Sequence, residues 1–567
     1  MAYCIGLDFG TTYSVISRMR EQYDNGGNLL SAFPEACLPS ENAHSPYVDS
    51  IVLKNPDGSL LFGPLAREKT GRKGTVTYKG FKMMLAESSQ EKLHSRGYDD
   101  VYTPRKIVSA YLENILQSHL AMYNSQDNRI DKLVVGVPEI WFSDLATIDS
   151  RVTLEETLAS FPFVGSVELV SEPAAACAYF ANNYKKINNG ELFQGRMLLV
   201  DYGGGTLDIA LCDVTQNADS SEVSVLRRAG AGLNEEGFIG KAGMAFIEAV
   251  AKLALRHSGM TDEEIVRHKH FYRSVHSVES ALMNRIPDIQ EEFDFSKLQD
   301  RTELDDIFYD FEFDDEDVSV TFGMLAEAYQ QVIYPVLEEK LDEIIDYMDA
   351  NGINWRVNTE DNFKIALVGG FCNFYLTQEQ IEEKFKKAAG NDRRFSGILT
   401  DKRDCEKAIS YGAALIANES VSFKQLAPYH LGIARGTKDA PKDFYYAIHK
   451  GDEIVYNEPV FIKNEYGQER LFAASSIPLL AFSLDDNMEF AQWGEATERY
   501  KSKLTLTKNK VYKIGFSLDR SMRITIHKQV VEDPSRTDII SDSSSVRLND
   551  DIYSILGNIT EVRRVKP

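Results

Sequence analysis

Long apolar runs are missing from this chain of 567 residues. No stretch approaches the ~20 consecutive apolar residues that a membrane-spanning helix requires. A strand-like segment, residues 3–7, begins almost at the first residue and leaves little room for a charged and apolar leader. We therefore expect a cytoplasmic protein without contact to a membrane.

Cysteine is also scarce, with six residues, and none of them follows a C-x-x-C pattern or has a partnering histidine at metal-binding spacing. This scarcity argues against a disulfide framework and against a structural zinc site. Buried, reduced thiols are the expected state of Cys4, Cys37, Cys177, Cys212, Cys372 and Cys405.

Basic residues are outnumbered, since 62 Lys and Arg face 86 Asp and Glu, for a formal net charge of −24. A protein that binds nucleic acid needs a local excess of positive charge to neutralise phosphates. The composition therefore predicts a partner other than nucleic acid or an anionic membrane surface.

The chain has two parts with different patterns of predicted secondary structure. Up to about residue 420, apolar strand-like runs at 133–137, 197–200 and 364–368 alternate with segments of helical periodicity, as in an α/β fold. After about residue 425, short alternating segments predict an all-β module. No helical pattern of useful length follows these segments, and Ser541–Ser545 reads as a polar loop.

A first candidate phosphate site directly follows the opening strand, in Gly6-Leu7-Asp8-Phe9-Gly10-Thr11-Thr12-Tyr13. Glycine lets backbone amides approach a phosphate, the threonine hydroxyls add donors, and Asp8 can hold a magnesium ion through its waters. A tight Gly- and Thr-rich hairpin explains this segment equally well when it is taken alone.

A second and stronger candidate is the run from Asp201 to Asp208, in which Gly203, Gly204, Gly205 and Thr206 follow another apolar strand. Successive glycines can turn several amides toward one anion, and the flanking carboxylates suit a metal ion and a water molecule. Flexible glycine loops seldom lie between two strands with carboxylates on both sides. Two weaker signals are Gly369-Gly370 after a third strand and Glu172 at the start of an Ala-rich helix.

The order of these four segments resembles the heat shock protein 70 chaperone family, as a divergent, lidless, bacterial-type member of the actin-like ATPase superfamily. The matching pieces are GLDFGTTYS at 6–14, LVVGVP at 133–138, ELVSEPAAACAYF at 168–180, LLVDYGGGTLDIAL at 198–211, ALVGG at 366–370 and AISYGAALIA at 408–417. The resemblance covers roughly the first 420 residues and is fainter beyond residue 425.

This resemblance implies an α/β, two-lobed actin-like ATPase fold of the ribonuclease H-like kind at 1–417, a linker at 418–427 and a β-sandwich-like, substrate-binding domain at 428–567. It implies ATP or ADP with Mg²⁺ as cofactors, slow ATP hydrolysis, and an unfolded or extended peptide or a dedicated protein client as partner. Cochaperones are further possible partners.

The resemblance also implies roles for individual residues. Asp8 and Asp201 would hold the hydrated metal, while Glu172, Asp201, Asp208 and Arg67 would form the catalytic set. The nucleotide would be bound by Gly10, Thr11, Thr12, Tyr13, Gly203, Gly204, Gly205, Thr206, Glu279, Gly369, Gly370, Phe371 and Asn373.

The chain departs from the family pattern at four places. One is the segment 233–238, which reads Leu233-Asn234-Glu235-Glu236-Gly237-Phe238 where the family has L-G-G-x-x-F-D. Arg67 is the best counterpart of the family's catalytic lysine, so an arginine replaces a lysine there. In the segment that matches the adenosine site, polar residues of the family are replaced by Leu282, Met283 and Ile286. In the linker, Val421, Phe423 and Leu426 are candidates for apolar docking, but a plain tether is an equal alternative.

Three functional classes remain open from the sequence. The leading one is an ATP-driven, chaperone-like protein; the others are an actin-like, nucleotide-gated scaffold and a small-molecule kinase. A chain without nucleotide or magnesium dependence would be a pseudo-ATPase.

Overall fold

The computed structural model describes residues 2–24, 29–87, 89–139, 141, 148–187, 190–217, 220–232, 242–268, 271, 274–282, 305–314, 316–356, 363–388, 398–399, 404–427, 429–437, 440–473, 479–483, 490–493, 506–507, 510–518, 523–533, 536–551 and 561–564. The chain divides into two compact units. The N-terminal unit contains residues 1–140, 157–223 and 227–422, and the C-terminal unit contains 141–156, 224–226 and 423–567. The predicted boundaries at 417 and 427 stay a prediction.

The first large sheet of the N-terminal unit carries the first glycine-rich turn. Its strand order is β3-β2-β1-β8-β9, with β4 also paired to β2. Strands β1 and β2 are antiparallel, whereas β8 runs parallel to both β1 and β9, so that β1 and β8 end at the same edge. The bounds are β1 Cys4–Phe9, β2 Tyr13–Tyr23, β3 Leu29–Ala36, β4 Val48–Asp49, β8 Ile130–Val137 and β9 Val164–Ser171.

The second large sheet carries the second glycine-rich turn. Here β10 lies between its antiparallel neighbour β11 and its parallel neighbour β15, in the order β16-β15-β10-β11-β12. Strand β15 is buried along its whole length, which explains why all of its residues except Lys364 are apolar. The bounds are β10 Gln194–Tyr202, β11 Leu207–Gln216, β12 Ser221–Ala231, β15 Phe363–Val368 and β16 Ile398–Leu399.

Two small sheets complete the strands before residue 420. The three-stranded sheet has the order β6-β5-β7, and the two-stranded sheet is the hairpin β13-β14. The alternation of aromatic and acidic residues in Phe311-Glu312-Phe313-Asp314 has the period of a half-buried strand, and Ile307–Phe313 does form one. The bounds are β5 Ile51–Lys54, β6 Leu60–Phe62, β7 Val76–Lys79, β13 Ile307–Phe313 and β14 Glu316–Thr321.

Local sequence signals mark the start of some of the helices. In α3, Thr103 accepts a hydrogen bond from the Lys106 amide, and Pro104 occupies the first turn, where its missing N–H costs nothing. The bounds are α1 Gly63–Lys69, α2 Gln90–Ser95, α3 Pro104–Tyr123, α4 Ile148–Ala159, α5 Glu172–Ile187, α6 Gly243–His257, α7 Asp262–Arg267, α8 Phe322–Ala328, α9 Tyr334–Ala350, α10 Tyr375–Ala388 and α11 Ala408–Ala417.

Apolar residues at helical spacing from Leu325 to Met348 predict one long helix that includes Pro335, but the structure interrupts it. A π-helical turn, Tyr329–Ile333, separates α8 from α9, and Pro335 lies in the first turn of α9. This is the position at which proline is tolerated in a helix. The helix then ends at Asn351, as the Asn-Gly pair predicts.

The C-terminal unit is rich in β structure. One sheet has the order β19-β18-β22-β23-β27 and a second has the order β20-β24-β25-β26, with β21 also paired to β24. Both contribute to one buried apolar cluster, which includes Leu431 and Phe482 from the first sheet and Phe516 and Ile526 from the second. The bounds are β17 Val421–Gln425, β18 His430–Thr437, β19 Ala440–Ile448, β20 Val460–Phe461, β21 Phe472–Ala473, β22 Leu479–Ser483, β23 Phe490–Trp493, β24 Val511–Leu518, β25 Arg523–Asp533, β26 Arg536–Asp551 and β27 Glu561–Arg564.

Two local predictions near the C-terminal unit need comment. Ser541–Ser545 is wrong as a polar loop, because these residues lie within β26 and pair with β25. The alternation of a strand was hidden because serine is small and polar on both faces of the sheet. The linker segment is structured as well: Val421–Gln425 is a strand, and the following residues Leu426 and Ala427 bond to Asp452 and Glu453.

Chemical expectations about cysteine agree with the structure. All six cysteines carry free thiols, and every one except Cys4 is buried. Of the helices that are described, none has the length and apolarity needed to cross a membrane.

Candidate functional site

The first glycine-rich turn joins β1 to β2, whose register pairs Phe9 with Ser14. A Cβ atom on Gly10 would lie 2.1 Å from the Tyr13 carbonyl oxygen, so only glycine fits there. Ser50, next to β4, braces the turn from behind: its amide donates to the Thr12 carbonyl at 2.8 Å and its hydroxyl to the Gly10 carbonyl at 2.8 Å. The sequence offered no signal for Ser50, because it is distant along the chain.

The second turn joins β10 to β11, and its register places Asp201 directly opposite Asp208. The turn is closed by a bond of 3.0 Å from the Gly203 amide to the Thr206 carbonyl. The first amides of α6 donate to its other carbonyls, from Gly243 to Gly203 at 3.2 Å and from Met244 to Gly204 at 2.8 Å. A helix N-terminus therefore supports the glycine turn.

The two turns, which are some 190 residues apart in the sequence, lie side by side within the N-terminal unit. A Cβ atom on Gly205 would be 2.7 Å from the Thr11 hydroxyl oxygen, and one on Gly204 would be 3.2 Å from the Thr12 hydroxyl oxygen. The glycines of one turn are thus needed to admit the threonines of the other. This places the amides of 203–205 and the hydroxyls of Thr11 and Thr12 at one location.

Four carboxylates, Asp8, Glu172, Asp201 and Asp208, gather around these turns. Glu172, Asp201 and Asp208 are almost fully buried, and Asp8 is partly buried. Burial raises the pKa of Asp8 to about 7, and the charge of Glu172 adds to that shift. Burial also raises the pKa of Asp201 well above its usual range, with further contributions from Glu172, Asp208 and Asp8.

A single lysine, Lys82, lies among these carboxylates. Its Nζ atom is 2.5 Å from Glu172 Oε1, the side chain is 2% exposed, and its charge lowers the pKa values of Asp8 and Asp201. The sequence analysis overlooked Lys82. The available signal was a lysine within the apolar neighbours Phe81, Met83 and Met84, since lysine is almost never buried without a partner.

Arg67 lies elsewhere, which corrects the expectation that it supplies the charge beside the catalytic carboxylates. Its Nη2 atom is 2.8 Å from Asp49 Oδ1 and 3.0 Å from the Tyr13 hydroxyl. The side chain is 45% exposed, whereas the cation beside Glu172 is Lys82. The physical reason is that the two cations lie on different elements. Arg67 lies on α1, directly after β6, whereas Lys82 lies on the turn after β7 and meets Glu172 there.

Glu279, which was predicted to bind the nucleotide, is near enough to Arg67 for the charge of Arg67 to act on its carboxylate. Burial raises its pKa, but the hydrogen bond from His276 and the charges of Lys79 and Arg67 outweigh burial and lower the pKa overall. The His276 Nδ1 atom is 3.2 Å from Glu279 Oε2. Leu282, on the same segment, is buried, while Met283, Ile286 and the segment 233–238 lie outside the described residues.

The third strand end brings Gly369 against Asp201. A Cβ atom on Gly369 would lie 2.3 Å from Asp201 Oδ1, so a larger residue would clash. The residue also has a φ of +80°, which independently favours glycine. Gly370, by contrast, borders open space. Phe371 is 8% exposed and packs on Tyr202, Phe246 and Phe374, with ring centroids 5.0–5.3 Å apart. Phe371 is therefore an aromatic core residue with little free ring surface, and Asn373 contributes its backbone to the turn Gly370–Asn373.

The protein is mixed α/β and carries a β-rich C-terminal region. Glycine turns lie at the ends of its buried strands, with carboxylates between them. Its sequence is distantly similar to the heat shock protein 70 chaperones. The similarity implies an actin-like ATPase fold. No protein-family model matches the chain.

Three of these relatives show how limited the sequence similarity is. The chaperone protein DnaK of Endomicrobium trichonymphae is 27% identical over 215 residues, or 38% of this chain and 30% of the relative. DnaK of Thermosipho africanus is 27% identical over 216 residues, or 37% of this chain and 30% of the relative. The movement protein Hsp70h of Lettuce infectious yellows virus is 25% identical over 221 residues, or 36% of each. The chain thus matches only about a third of the length of these curated relatives.

Proposed function

We propose that this chain binds ATP with Mg²⁺, hydrolyses it slowly, and uses the nucleotide state to control binding of an extended peptide or a dedicated protein partner. Members of the heat shock protein 70 family are ATPases that bind ATP or ADP with Mg²⁺, and they generally bind peptide clients.

The contact between the two glycine-rich turns is the observation that carries the proposal. Thr11 and Thr12 lie against Gly205 and Gly204, so donors from both turns can reach the same phosphate chain. Phosphoryl transfer depends mainly on positioning and on charge neutralisation, which such an arrangement supplies. In the proposal the β- and γ-phosphates are held by Gly10, Thr11, Thr12, Tyr13, Gly203, Gly204, Gly205 and Thr206.

Asp8 and Asp201 are proposed to hold the metal ion through its water ligands. Burial is the main cause of their raised pKa values, and the neighbouring carboxylates add to it, so a divalent cation would stabilise the ionised form of both side chains. Among the described residues, no group of three His, Cys, Asp or Glu side chains could ligate a metal directly, which is why we propose binding through water. When bound, Mg²⁺ would supply positive charge to the phosphate oxygens.

Lys82 takes, in this proposal, the role that the sequence analysis assigned to Arg67. Its ammonium is oriented by Glu172 and can neutralise charge on the phosphoryl group. Asp208, opposite Asp201 and fully buried, is proposed to orient the attacking water or to accept its proton. Arg67 instead positions Tyr13 through its hydroxyl.

We further propose that the ATPase domain spans residues 1–417 with two actin-like lobes, joined by a linker at 418–427 to a sandwich-like, peptide-binding domain at 428–567. The two large sheets, each with a glycine-rich turn at one edge, support this division. The apolar core shared by the two C-terminal sheets supports an all-β domain.

Calorimetric titration of MgATP into the wild type and Asp201→Asn tests nucleotide binding. We expect at least a tenfold weaker Kd for the variant, and dependence on Mg²⁺ in the wild type. Asp213→Asn, which alters an exposed aspartate of β11 paired with Arg196, is the matched control and should bind as the wild type does. Equal binding by all three proteins, or none in the wild type, would contradict the proposal.

Measuring the rate of ATP hydrolysis distinguishes an ATPase from a pseudo-ATPase. The same measurement distinguishes the roles of Lys82 and Arg67. Lys82→Met should reduce kcat at least tenfold, whereas Arg67→Met should raise KM more than it lowers kcat, because Arg67 contacts Tyr13 and Asp49 rather than Glu172. A chain that binds MgATP but does not turn it over would be a pseudo-ATPase.

A second candidate, which the sequence leaves open, is an actin-like, nucleotide-gated scaffold or assembly protein. Sedimentation with MgATP or MgADP distinguishes the two candidates. Peptide-stimulated hydrolysis supports the chaperone-like function, and nucleotide-dependent pelleting of the chain supports assembly.

A further inference from the structure

Ser50, the residue that follows β4, contacts the first glycine-rich turn at two backbone carbonyl groups. Its hydroxyl donates to the Gly10 carbonyl and its amide donates to the Thr12 carbonyl, both at 2.8 Å. The Ser50 side chain is 2% exposed, so both bonds are shielded from water. The turn is therefore anchored at two points to one buried residue that lies outside the glycine-rich segments.

These two hydrogen bonds determine where two amides of the turn point. In a planar trans peptide unit, the C=O and the N–H groups point in opposite directions. The Gly10 carbonyl shares its peptide unit with the Thr11 amide, and the Thr12 carbonyl shares its unit with the Tyr13 amide. Because both carbonyls face Ser50, the amides of Thr11 and Tyr13 both point away from Ser50.

Two amides that face the same way within one short turn can bind one anion together. The hydroxyls of Thr11 and Thr12, which lie against the second turn, belong to the same short segment. The hairpin itself does not require Ser50, since β1 and β2 are already paired at Phe9 and Ser14. The bonds from Ser50 therefore add a direction to the amides of a hairpin that the strands already form.

A chain of buried hydroxyl groups supports Ser50. The hydroxyl oxygens of Ser14 and Ser50 are 3.2 Å apart, and both serines are buried. A serine hydroxyl has one proton, and Ser50 donates its proton to Gly10, so Ser14 is the donor to Ser50. Burial raises the pKa of the Tyr111 phenol to about 12, and hydrogen bonds to the same two serines oppose that shift. Hydrogen bonds in such a chain polarise one another, which makes the Thr11 amide a stronger donor.

We infer that Ser50 is a positioning residue for polyphosphate binding, which directs the amides of Thr11 and Tyr13 toward the phosphates without contacting the phosphates itself. The inference rests on one part of the proposed function, namely that the first glycine-rich turn binds phosphate. It applies to any polyphosphate with Mg²⁺, because the two amides act on the phosphate chain and not on the nucleoside.

Calorimetric titration of the full chain with two ligands, MgATP and inorganic tripolyphosphate with Mg²⁺, tests this inference. Ser50→Ala removes the hydroxyl bond to Gly10 and keeps the amide bond to Thr12, so the Thr11 amide loses its fixed direction. We expect the Kd for both ligands to rise by the same factor, at least fivefold. In ATP hydrolysis, KM should rise by that factor while kcat stays within twofold, since the amide holds the phosphates equally before and during the reaction.

Ser17→Ala is the matched control. Ser17 is a buried serine on β2, and its hydroxyl donates to the Ser410 hydroxyl at 2.8 Å and not to the turn. Each of the two variants loses one buried hydrogen bond, so urea unfolding should show similar small losses of stability. Ser17→Ala should nevertheless bind both ligands within twofold of the wild type.

Three results would overturn the role of Ser50: an unchanged Kd for tripolyphosphate in Ser50→Ala, an equal loss of affinity in Ser17→Ala, or a wild type that binds neither ligand. Equal binding of MgATP by the wild type and Ser50→Ala would contradict this inference and leave the proposed ATP function intact. A wild type that binds tripolyphosphate but not MgATP would contradict the ATP function, and the tripolyphosphate titrations would still decide the role of Ser50.

Discussion

At the residue scale, the pairing of Lys82 with Glu172 determines how much charge the buried site carries. Four carboxylates face this one lysine, and burial raises the pKa values of Asp8 and Asp201. Removing one partner of a buried ion pair leaves the other uncompensated, which is far more costly than the pair itself.

Lys82→Met should therefore lower the free energy of unfolding by about 3–5 kcal/mol. Adding Glu172→Gln should restore much of this loss, because the second change removes the unpaired charge. Urea unfolding of the single and double variants measures both effects. Lys386→Met, which breaks an exposed pair with Glu382 on α10, is the control and should cost below about 0.5 kcal/mol. A double variant as unstable as the single one would contradict this account.

Phe371→Ala separates a core role from a base-stacking role. The ring is buried on Tyr202, Phe246 and Phe374, so its removal should cost about 3–5 kcal/mol of stability. The ratio of Kd values for ATP and GTP should stay within twofold of the wild type. A stable variant with a changed ratio would show that the ring contacts the base.

At the element scale, α11 is the helix that ties the chain together around the first turn. All of its residues are buried. A Cβ atom on Gly412 would lie 1.6 Å from the Ala175 carbonyl oxygen on α5, and one on Gly6 of β1 would lie 2.2 Å from the Ala414 amide nitrogen. Glycines allow these backbones to approach closely.

Gly412→Ala should force α11 and α5 apart and lower the free energy of unfolding by about 3 kcal/mol. Gly370→Ala is the control for stability, because a Cβ atom there meets open space. Urea unfolding without nucleotide compares the two variants. Similar stabilities for both would mean that the two helices can separate at little cost.

Helix α3 carries a buried histidine that should make stability depend on pH. Burial lowers the pKa of His119 to about 3, from 6.5 in the unfolded chain, and the side chain bonds to the Tyr3 hydroxyl at 2.7 Å. The unfolded chain therefore binds a proton that the folded chain does not. Stability is fully present above pH 6.5 and falls as the pH decreases from 6.5 toward 3.

His119→Gln should flatten this part of the pH profile, since glutamine does not titrate. Urea unfolding between pH 7 and pH 4 measures the slope. His94→Gln, on the exposed face of α2, should keep the slope of the wild type. An unchanged slope in His119→Gln would assign the acid sensitivity to other groups.

At the scale of the whole molecule, each compact unit has its own buried residues, and the proposed nucleotide contacts lie in only one of them. MgATP at one hundred times its Kd should stabilise the nucleotide-binding unit by about 2.7 kcal/mol. The resulting rise in melting temperature should be lost in Asp201→Asn. Phe516→Ala, in the core of the C-terminal unit, should lower stability but keep the shift. Loss of the shift in Phe516→Ala would place the ligand effect outside the glycine turns.

Local patterns were enough to predict much of the architecture. Apolar runs followed by glycine or proline predicted β8, β10 and β15, because buried strands need continuous apolar sequence and their ends need tight turns. The start of α5 at Glu172 was likewise readable from helix-start chemistry. The helical pattern through Pro335 predicted one long helix and did not reveal the π-helical turn Tyr329–Ile333. The serine-rich part of β26 was not readable, since pairing with β25 overrides its weak local preference.

The sequence alone determined that two glycine-rich turns follow buried strands and that each is flanked by carboxylates. It also placed a β-rich region after them, because these features depend on neighbours along the chain. Only the tertiary structure decided that Thr11 and Thr12 contact the glycines of the second turn, and that Lys82 rather than Arg67 meets Glu172. Such pairings depend on how distant elements pack, and a charge is neutralised by the cation nearest in space.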